Sequence, residues 1–255
     1  MIGIFDSGLG GLTALTKLRK FAPDTDLIYF GDTARVPYGS RSDETITKYA
    51  DDIIRLLIDK GADSILAACG TVSTVALPRL KGKYSVPVSG ILEPACAAAA
   101  KATKNGKIGV IATSASVNSG AYIREISSLI PNAEVHQTAC PLFVPLVEGG
   151  FIGRDCEITR LTAEHYLEDI KKAGCDTLLL GCTHYPIIAD IIGDTLEGVT
   201  LINASEEAAR AVASSCTKKE SGKVKLMLSD RPQDMEKVMA YLGADMDYEV
   251  EIVKL

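Results

Sequence analysis

Two stretches decide the fold: ETITKYADDIIRLLIDKGADSILAAC, running from Glu44 to Cys69, and EITRLTAEHYLEDIKKAGCDTLLLGC, running from Glu157 to Cys182. Laid over each other at an offset of 113 residues, without a gap, they pair Glu44 with Glu157, Ala50 with Ala163 and Ile54 with Leu167. Further along they pair Leu57 with Ile170, Gly61 with Gly174, Asp63 with Asp176 and Cys69 with Cys182. In the first copy Ile46, Tyr49, Ile53, Ile54 and Leu57 fall three or four apart, the period of a helix with one buried face. Gly61 stands where a left-handed cap would end that helix. The apolar run Ser64–Ala67 then reads as a buried strand with a cysteine just past its carboxyl end. Helix, glycine, strand and cysteine therefore form one unit, and the chain uses it twice.

The repeat continues upstream. Near an offset of 106 to 108, Ile2-Gly3-Ile4 resembles Ile108-Gly109-Val110, Pro23 pairs with Pro131, and Val36-Pro37 pairs with Val144-Pro145. Short Ile, Val and Leu runs alternate with segments of helical period, as buried parallel strands with crossover helices do. The strands predicted are Ile2–Phe5, Leu27–Phe30, Ser64–Ala67, Val88–Gly90, Ile108–Ile111, Glu134–Thr138, Thr177–Leu180, Val199–Ile202, Val224–Leu228 and Glu249–Val253. The expected architecture is α/β: two pseudo-symmetric parallel-sheet domains, Rossmann-like or flavodoxin-like, facing each other across a central cleft. Residues 1–92, with a returning tail at 207–255, would form the first domain, and 93–206 the second.

Composition narrows the partners. Of 255 residues 47% are hydrophobic and 24% charged, which suits a packed globular core and excludes a disordered or fibrous chain. Lys and Arg number 27 against 33 Asp and Glu, a net charge of −6, with no basic run, so a nucleic-acid partner is not expected. No apolar run approaches the roughly 20 residues needed to cross a bilayer. The seven cysteines are odd in number and the start of the chain lacks a leader pattern, so a cytoplasmic protein with reduced thiols is expected.

Open parallel sheets bind ligands beyond the carboxyl ends of their strands. The residues there are Asp6-Ser7-Gly8-Leu9-Gly10-Gly11, Gly31-Asp32-Thr33, Pro37-Tyr38-Gly39-Ser40 and Cys69-Gly70-Thr71 in the first half. In the second half they are Thr113-Ser114-Ala115-Ser116, Leu146-Val147-Glu148-Gly149 and Cys182-Thr183-His184. If the halves face each other, Cys69 and Cys182 look into one cleft from opposite sides. An acid and a base on opposite faces of a Cα centre are what racemisation requires, and thiols, with reference pKa values near 8.5, serve in either role. An α-proton is a poor acid. A gap on the order of ten pKa units makes its transfer to a thiolate uphill by ~14 kcal/mol, so the site must aim donors at the developing charge.

Backbone N–H groups at Thr71 and Thr183 suit that task, and Asp6 and His184 stand beside the two thiols to relay protons. Gly8-Leu9-Gly10-Gly11 with Asp32 imitates a dinucleotide fingerprint, but Thr13 stands where its third glycine belongs, so these glycines read as a tight turn. Cys182-Thr183-His184 lacks the paired spacing of closed zinc sites, so no metal is expected. Cys96, Cys140, Cys156, Cys175 and Cys216 read as small buried residues, and His136 and His165 as ordinary ones. Arg35 is the one cation near the strand ends, suited either to a substrate carboxylate or to a surface ion pair.

Three blocks also carry a family resemblance. Gly3-Ile4-Phe5-Asp6-Ser7-Gly8-Leu9-Gly10-Gly11-Leu12-Thr13, Gly31-Asp32-Thr33-Ala34-Arg35-Val36-Pro37-Tyr38-Gly39 and Gly181-Cys182-Thr183-His184-Tyr185-Pro186 resemble, in order, signature blocks of glutamate racemases. The resemblance implies cofactor-independent interconversion of L- and D-glutamate, supplying D-glutamate for peptidoglycan. It implies Cys69 and Cys182 as acid/base thiols assisted by Asp6, Glu148 and His184. Substrate contacts carried over by position are Asp6, Ser7, Pro37, Tyr38, Gly39, Gly70, Thr71, Thr113, Ser116, Thr183 and His184. The partner expected is the small-molecule substrate, with a homodimer allowed. Two positions depart from the family pattern: Gly70 stands where the family has Asn, and Ser116 where it has Thr. Gly70 leaves open a relative acting on another acidic amino acid such as aspartate. A ligand-binding or redox protein on the same fold is the third reading.

Overall fold

The computed structural model describes residues 1–216, 220–232, 235–244 and 246–255. Among the described residues the strands in chain order are β1 (Ile2–Asp6), β2 (Leu27–Gly31), β3 (Ser64–Ala67), β4 (Val88–Gly90), β5 (Lys107–Ala112), β6 (Glu134–Ala139), β7 (Thr177–Leu180), β8 (Thr200–Asn203), β9 (Val224–Leu228) and β10 (Glu249–Ile252). They form two sheets, ordered β10-β9-β2-β1-β3-β4 and β6-β5-β7-β8, with every strand pairing parallel. In each sheet the first strand of the repeat lies between the second and the third: β1 between β2 and β3, β5 between β6 and β7.

The expected strands are found with small shifts that have local causes. Val199 donates to the carbonyl of Leu196 at 3.1 Å and so ends a turn, and β8 begins one residue later at Thr200, whose N–H bonds Asp176 O at 2.9 Å. β1 runs on to Asp6, whose carbonyl accepts from Asp32 N at 3.0 Å. The apolar pattern stops at Phe5 because Asp6 is polar.

The repeat helices are Asp43–Asp59 and Glu157–Ala173. The first is capped by Ser42, whose side chain accepts from Thr45 N at 3.3 Å, and carries Asp43 and Glu44 in its first turn, where the helix dipole favours acids. It buries Ile46, Ala50, Ile53, Ile54 and Leu57, and its partner buries Thr159, Ala163, Leu167 and Ile170 on the matching stripe. Tyr49, expected on that stripe, is half-buried, with the Arg35 guanidinium 4.0 Å over its ring. Both helices end in left-handed glycines, Gly61 at φ 92° and Gly174 at φ 71°.

The glycine shared by the first strands has a packing cause. A Cβ on Gly3 would lie 3.1 Å from Ala62 Cβ and 3.3 Å from Leu57; on Gly109 it would lie 2.8 Å from Ile170. The crossover helix closes onto its sheet at equivalent points. On the other face, Ile2 and Ile4 join Leu12, Leu15 and Leu18 of helix Leu12–Phe21 in a core continuous with that of the second sheet. Helix Ala204–Ser214 packs on Leu12–Phe21, and Lys17 meets Glu206 at 2.6 Å, which ties the two sheets together. β9 and β10 extend the first sheet beyond β2. We propose a division of the chain into 1–92 with 207–255, and 93–206, the second break falling inside helix Ala204–Ser214, which is shared between the halves; residues 217–219, 233–234 and 245 of the tail lie outside the described residues.

Candidate active site

The carboxyl ends of β1, β3 and β7 meet in a closed cleft. Asp6, Ser7, Cys69, Thr71, Thr113, Ser116, Cys182, Thr183 and His184 are all buried there. Glu148, the last residue of helix Phe143–Glu148, enters from the second half and is partly buried.

Around Cys182 the groups form a relay. His184 Nδ1 lies 3.7 Å from Cys182 Sγ, and its Nε2 lies 2.5 Å from Glu148 Oε1. That same oxygen accepts from Leu9 N at 3.1 Å, so the glycine-rich loop of the first half fixes the carboxylate. Burial opposes a charged imidazole, but the bonds to Cys182 and Glu148 outweigh it and hold His184 well above the ordinary histidine range. Burial likewise opposes the Glu148 carboxylate, and the bond to His184 reverses the shift and lowers it. The pair is thus a carboxylate and an imidazolium, with the ring placed to exchange a proton with the thiol.

Cys69 has a different setting. Its Sγ lies 3.7 Å from Ser7 Oγ, and burial, reinforced by the Asp6 carboxylate, pushes the thiol up to about 12, so it holds its proton near neutral pH. Asp6 is itself raised by burial, against the pull of His184, of Gly8 N at 3.0 Å and of the Thr183 hydroxyl at 3.0 Å. Thr183 comes directly after Cys182 in sequence, so this last bond ties the neighbour of one thiol to the carboxylate beside the other.

A line of hydroxyls closes the flank of the cleft. Thr71 Oγ1 meets Thr113 Oγ1 at 2.9 Å, Thr113 donates to Ser116 Oγ at 3.1 Å, and Thr74 donates to the same Ser116 oxygen at 3.1 Å. Thr71 and Thr74 belong to the first half, Thr113 and Ser116 to the second. Gly39 abuts this line, since a Cβ there would lie 2.6 Å from Thr113 Cβ. Gly70 brings the halves closer still: a Cβ would lie 2.2 Å from the Gly181 carbonyl oxygen, so no larger residue fits without backbone movement.

Two of the predicted contacts point elsewhere. Pro37 is exposed, and the Tyr38 hydroxyl, though buried, donates to Asp32. Asp32 also accepts from Arg35 Nε at 2.6 Å and Ser229 Oγ at 2.9 Å. Arg35 is therefore committed to an internal ion pair. Of the cysteines outside the cleft, Cys96, Cys140 and Cys175 are buried, whereas Cys156 and Cys216 are only half-buried.

The glycines after β1 do more than turn the chain. A Cβ on Gly8 would lie 2.5 Å from Glu148 Oε1, one on Gly10 would lie 2.5 Å from both His184 Nδ1 and Thr183 Oγ1, and one on Gly11 would lie 2.4 Å from Asp6 Cβ. None of the three has a left-handed φ, so space is what they provide. At Gly8 and Gly10 the loop that imitates a nucleotide fingerprint is filled by catalytic-type side chains of the other half, and at Gly11 by Asp6 of its own. Thr74 is a further participant that motif reading misses; its hydroxyl also bonds Gly70 O at 3.0 Å, and its only signal in the sequence is its place one helical turn after that residue. Among the described residues no three His, Cys, Asp or Glu side chains come together as a metal site, and no helix is long and apolar enough to cross a membrane.

Known proteins resemble this chain over most of its length. Residues 13–212 match the family model of Asp/Glu/hydantoin racemases. A glutamate racemase of Geobacter metallireducens is 48% identical over 213 residues, covering 83% of this chain and 78% of the relative. One from Aquifex aeolicus is 44% identical over 247 residues, covering 96% and 95%. The crystal structure of the Francisella tularensis glutamate racemase in complex with D-glutamate superposes with a TM-score of 0.88 at 36% identity, covering 99% of this chain and 97% of that one.

Proposed function

The chain belongs to the Asp/Glu/hydantoin racemase family, and from that membership we propose that Cys69 and Cys182 move protons on opposite faces of a bound amino acid. The reaction is the interconversion of L- and D-glutamate, which makes the protein an isomerase. One observation carries the two-thiol reading: repeat-equivalent cysteines stand at the ends of β3 and β7, each with its own proton partners, and the Thr183 to Asp6 bond links the two sets.

In one direction the Cys182 thiolate takes the α-proton, and the C–H electron pair stays on the substrate, spread into its carboxylate. The Cys69 thiol then gives its proton to the opposite face, a new C–H bond forms, and Cys69 is left as the thiolate. On the Cys182 side the His184 imidazolium, held by Glu148, stabilises the thiolate and returns a proton to it after Cys182 has given up its own, and Asp6 exchanges a proton beside Cys69. The other enantiomer reverses the roles. The substrate's α-ammonium favours an ionised thiol in this buried setting, since an adjacent opposite charge offsets burial. The ~14 kcal/mol of uphill transfer is met by water exclusion and by donors from Ser7, Thr71, Thr113, Ser116 and Thr183, with Gly39 and Gly70 shaping the remaining wall. This route calls for neither a metal nor an organic cofactor. We assign the product to peptidoglycan supply and the protein to the cytoplasm.

The test is incubation with L-glutamate in deuterium oxide. The wild type should incorporate α-deuterium and lose optical rotation, aspartate should not be turned over, and Cys69→Ser and Cys182→Ser should each lower racemisation by at least about a thousandfold. Absence of exchange with glutamate would sink the assignment. Full activity in either serine variant would sink the two-thiol route.

A further inference from the structure

We propose that the polar cavity beside the turn Tyr38–Ser40 is the mouth through which glutamate reaches the cleft, and that arginines around it draw the anion in. The inference rests on the glutamate reading above. The cavity, of about 750 Å³, lies between the two halves, with Gly39, Arg41, Thr74 and Arg79 on one side and Ser119 and Arg124 on the other.

Three observations make it the way in. First, the thiols and their partners are buried, so substrate reaches them only through a seam between the halves. Second, the cavity's floor is the outer face of the hydroxyl line. Thr74, which lines the cavity, bonds Ser116, and Gly39, which also lines it, abuts Thr113. Between cavity and cleft the hydrogen bonds that join the two halves run among those hydroxyls, Thr71 to Thr113 and Thr74 to Ser116, beside the apolar contact of Ala115 with the first half, and the way in opens when both bonds part.

Third, the charge is inverted locally. The whole chain carries −6 and repels an anion, yet the cavity is lined by three arginines against one acid, Asp43. Asp43 is paired with Arg79 at 2.7 Å. Arg124 is oriented by a bond from Nη1 to Ser119 O at 2.7 Å, and Arg41 is exposed at the rim. Arg41 and Arg124 thus face the opening from opposite halves. A glutamate with two carboxylates gains attraction here that the protein surface elsewhere denies it, over a range set by a screening length of roughly 8 Å at physiological salt.

The experiment compares wild type, Arg41→Gln/Arg124→Gln and Arg41→Lys/Arg124→Lys across ionic strength. At low salt the glutamine variant should lose about threefold in kcat/KM through KM, with kcat unchanged. The loss should fade at about 0.5 M salt, where the screening length is only a few ångströms, and the lysine variant should track the wild type. A glutamine variant equal to wild type at low salt, a deficit that persists undiminished at high salt, or a loss confined to kcat would each overturn the proposal. A wild type that does not exchange the α-hydrogen of glutamate overturns the proposal together with the reading beneath it.

Discussion

Glu148→Gln isolates one charge in the relay. Glu148 Oε1 receives His184 Nε2 at 2.5 Å and Leu9 N at 3.1 Å. The amide keeps the size of the side chain and an oxygen for Leu9, but removes the negative charge that holds the imidazole protonated. A hydrogen bond between charged groups contributes about 1.5–3 kcal/mol. The Glu148 side chain keeps 17% of its exposure, and solvent reaching it argues for the lower half of that range, roughly 1.5–2 kcal/mol. At 1.36 kcal/mol per factor of ten, kcat/KM should fall about 10- to 30-fold.

The direction of the loss is constrained as well. L- and D-glutamate have equal free energies in water, so kcat/KM must fall equally from either side, whereas the two kcat values are free to separate. His184 is raised in the wild type, so its imidazolium persists to higher pH. In the variant the alkaline limb of the rate profile should move to lower pH, toward the ordinary histidine value near 6.5. Stability has the same sign. A raised histidine stabilises the fold below its unfolded pKa and loses that contribution as pH rises through the folded one, so the variant should show less of this alkaline loss. Polarimetry from each enantiomer, across pH, measures the rates, and urea unfolding across the same range measures the stability. A variant within twofold of wild type at every pH, or one whose loss lies in KM alone, would refute the assignment of Glu148 to the relay.

Gly10→Ala places a methyl 2.5 Å from both His184 Nδ1 and Thr183 Oγ1, two buried atoms, and should cost about 1–3 kcal/mol in urea unfolding and at least about a hundredfold in activity. A stable, fully active alanine variant would show that the loop is only a turn. Asp176 lies at the amino end of β7, far from the chemistry. Burial counts against its charge, but the Thr103 hydroxyl at 2.7 Å, Lys104 N at 2.7 Å, Asn105 N at 2.8 Å and the Thr177 hydroxyl at 3.0 Å outweigh it and bring its pKa from 3.8 to about 2. A depressed carboxylate stabilises the fold above pH 4 and loses that contribution as pH falls through 2, so Asp176→Asn should remove this acid dependence. After allowance for solvent screening it should cost about 1 kcal/mol at neutral pH, with racemisation unchanged.

The legible part of this protein is what local period and self-comparison can carry. The repeat locates β3 and β7 to the residue because an apolar run bounded by a capping glycine and a polar strand end has few alternative readings. Asp6, Cys69, Cys182 and His184 are legible for the same reason: a parallel strand presents its next residues at the sheet's binding edge. The meaning of a glycine is not local. Gly8 is indistinguishable from a turn glycine until Glu148, 140 residues later in the chain, is seen to occupy its Cβ direction, and the same holds for Gly10 with His184 and for Gly70 with Gly181. Hydroxyl direction is equally hidden. Tyr38 turns its O–H to Asp32, six residues back, whereas the weaker-looking Thr74 reaches across to the other half.

The two copies have kept their scaffold and diverged in the residues immediately after the cysteine. At the 113-residue offset Gly70 stands opposite Thr183, and Thr71 opposite His184. In the first copy the residue after the thiol leaves room for the Gly181 carbonyl and the next holds the hydroxyl line. In the second, the residue after the thiol reaches Asp6 and the next is the proton partner. A duplicated sheet therefore gives two thiols equivalent positions but unequal surroundings, one beside a carboxylate that keeps its proton on and one beside an imidazolium. That inequality is compatible with a substrate and product of equal energy. Thermodynamics fixes only the ratio of kcat/KM in the two directions, which both thiols enter together. It places no demand on how the barrier is divided between them, so each site is free to hold its proton by the means its own neighbours allow.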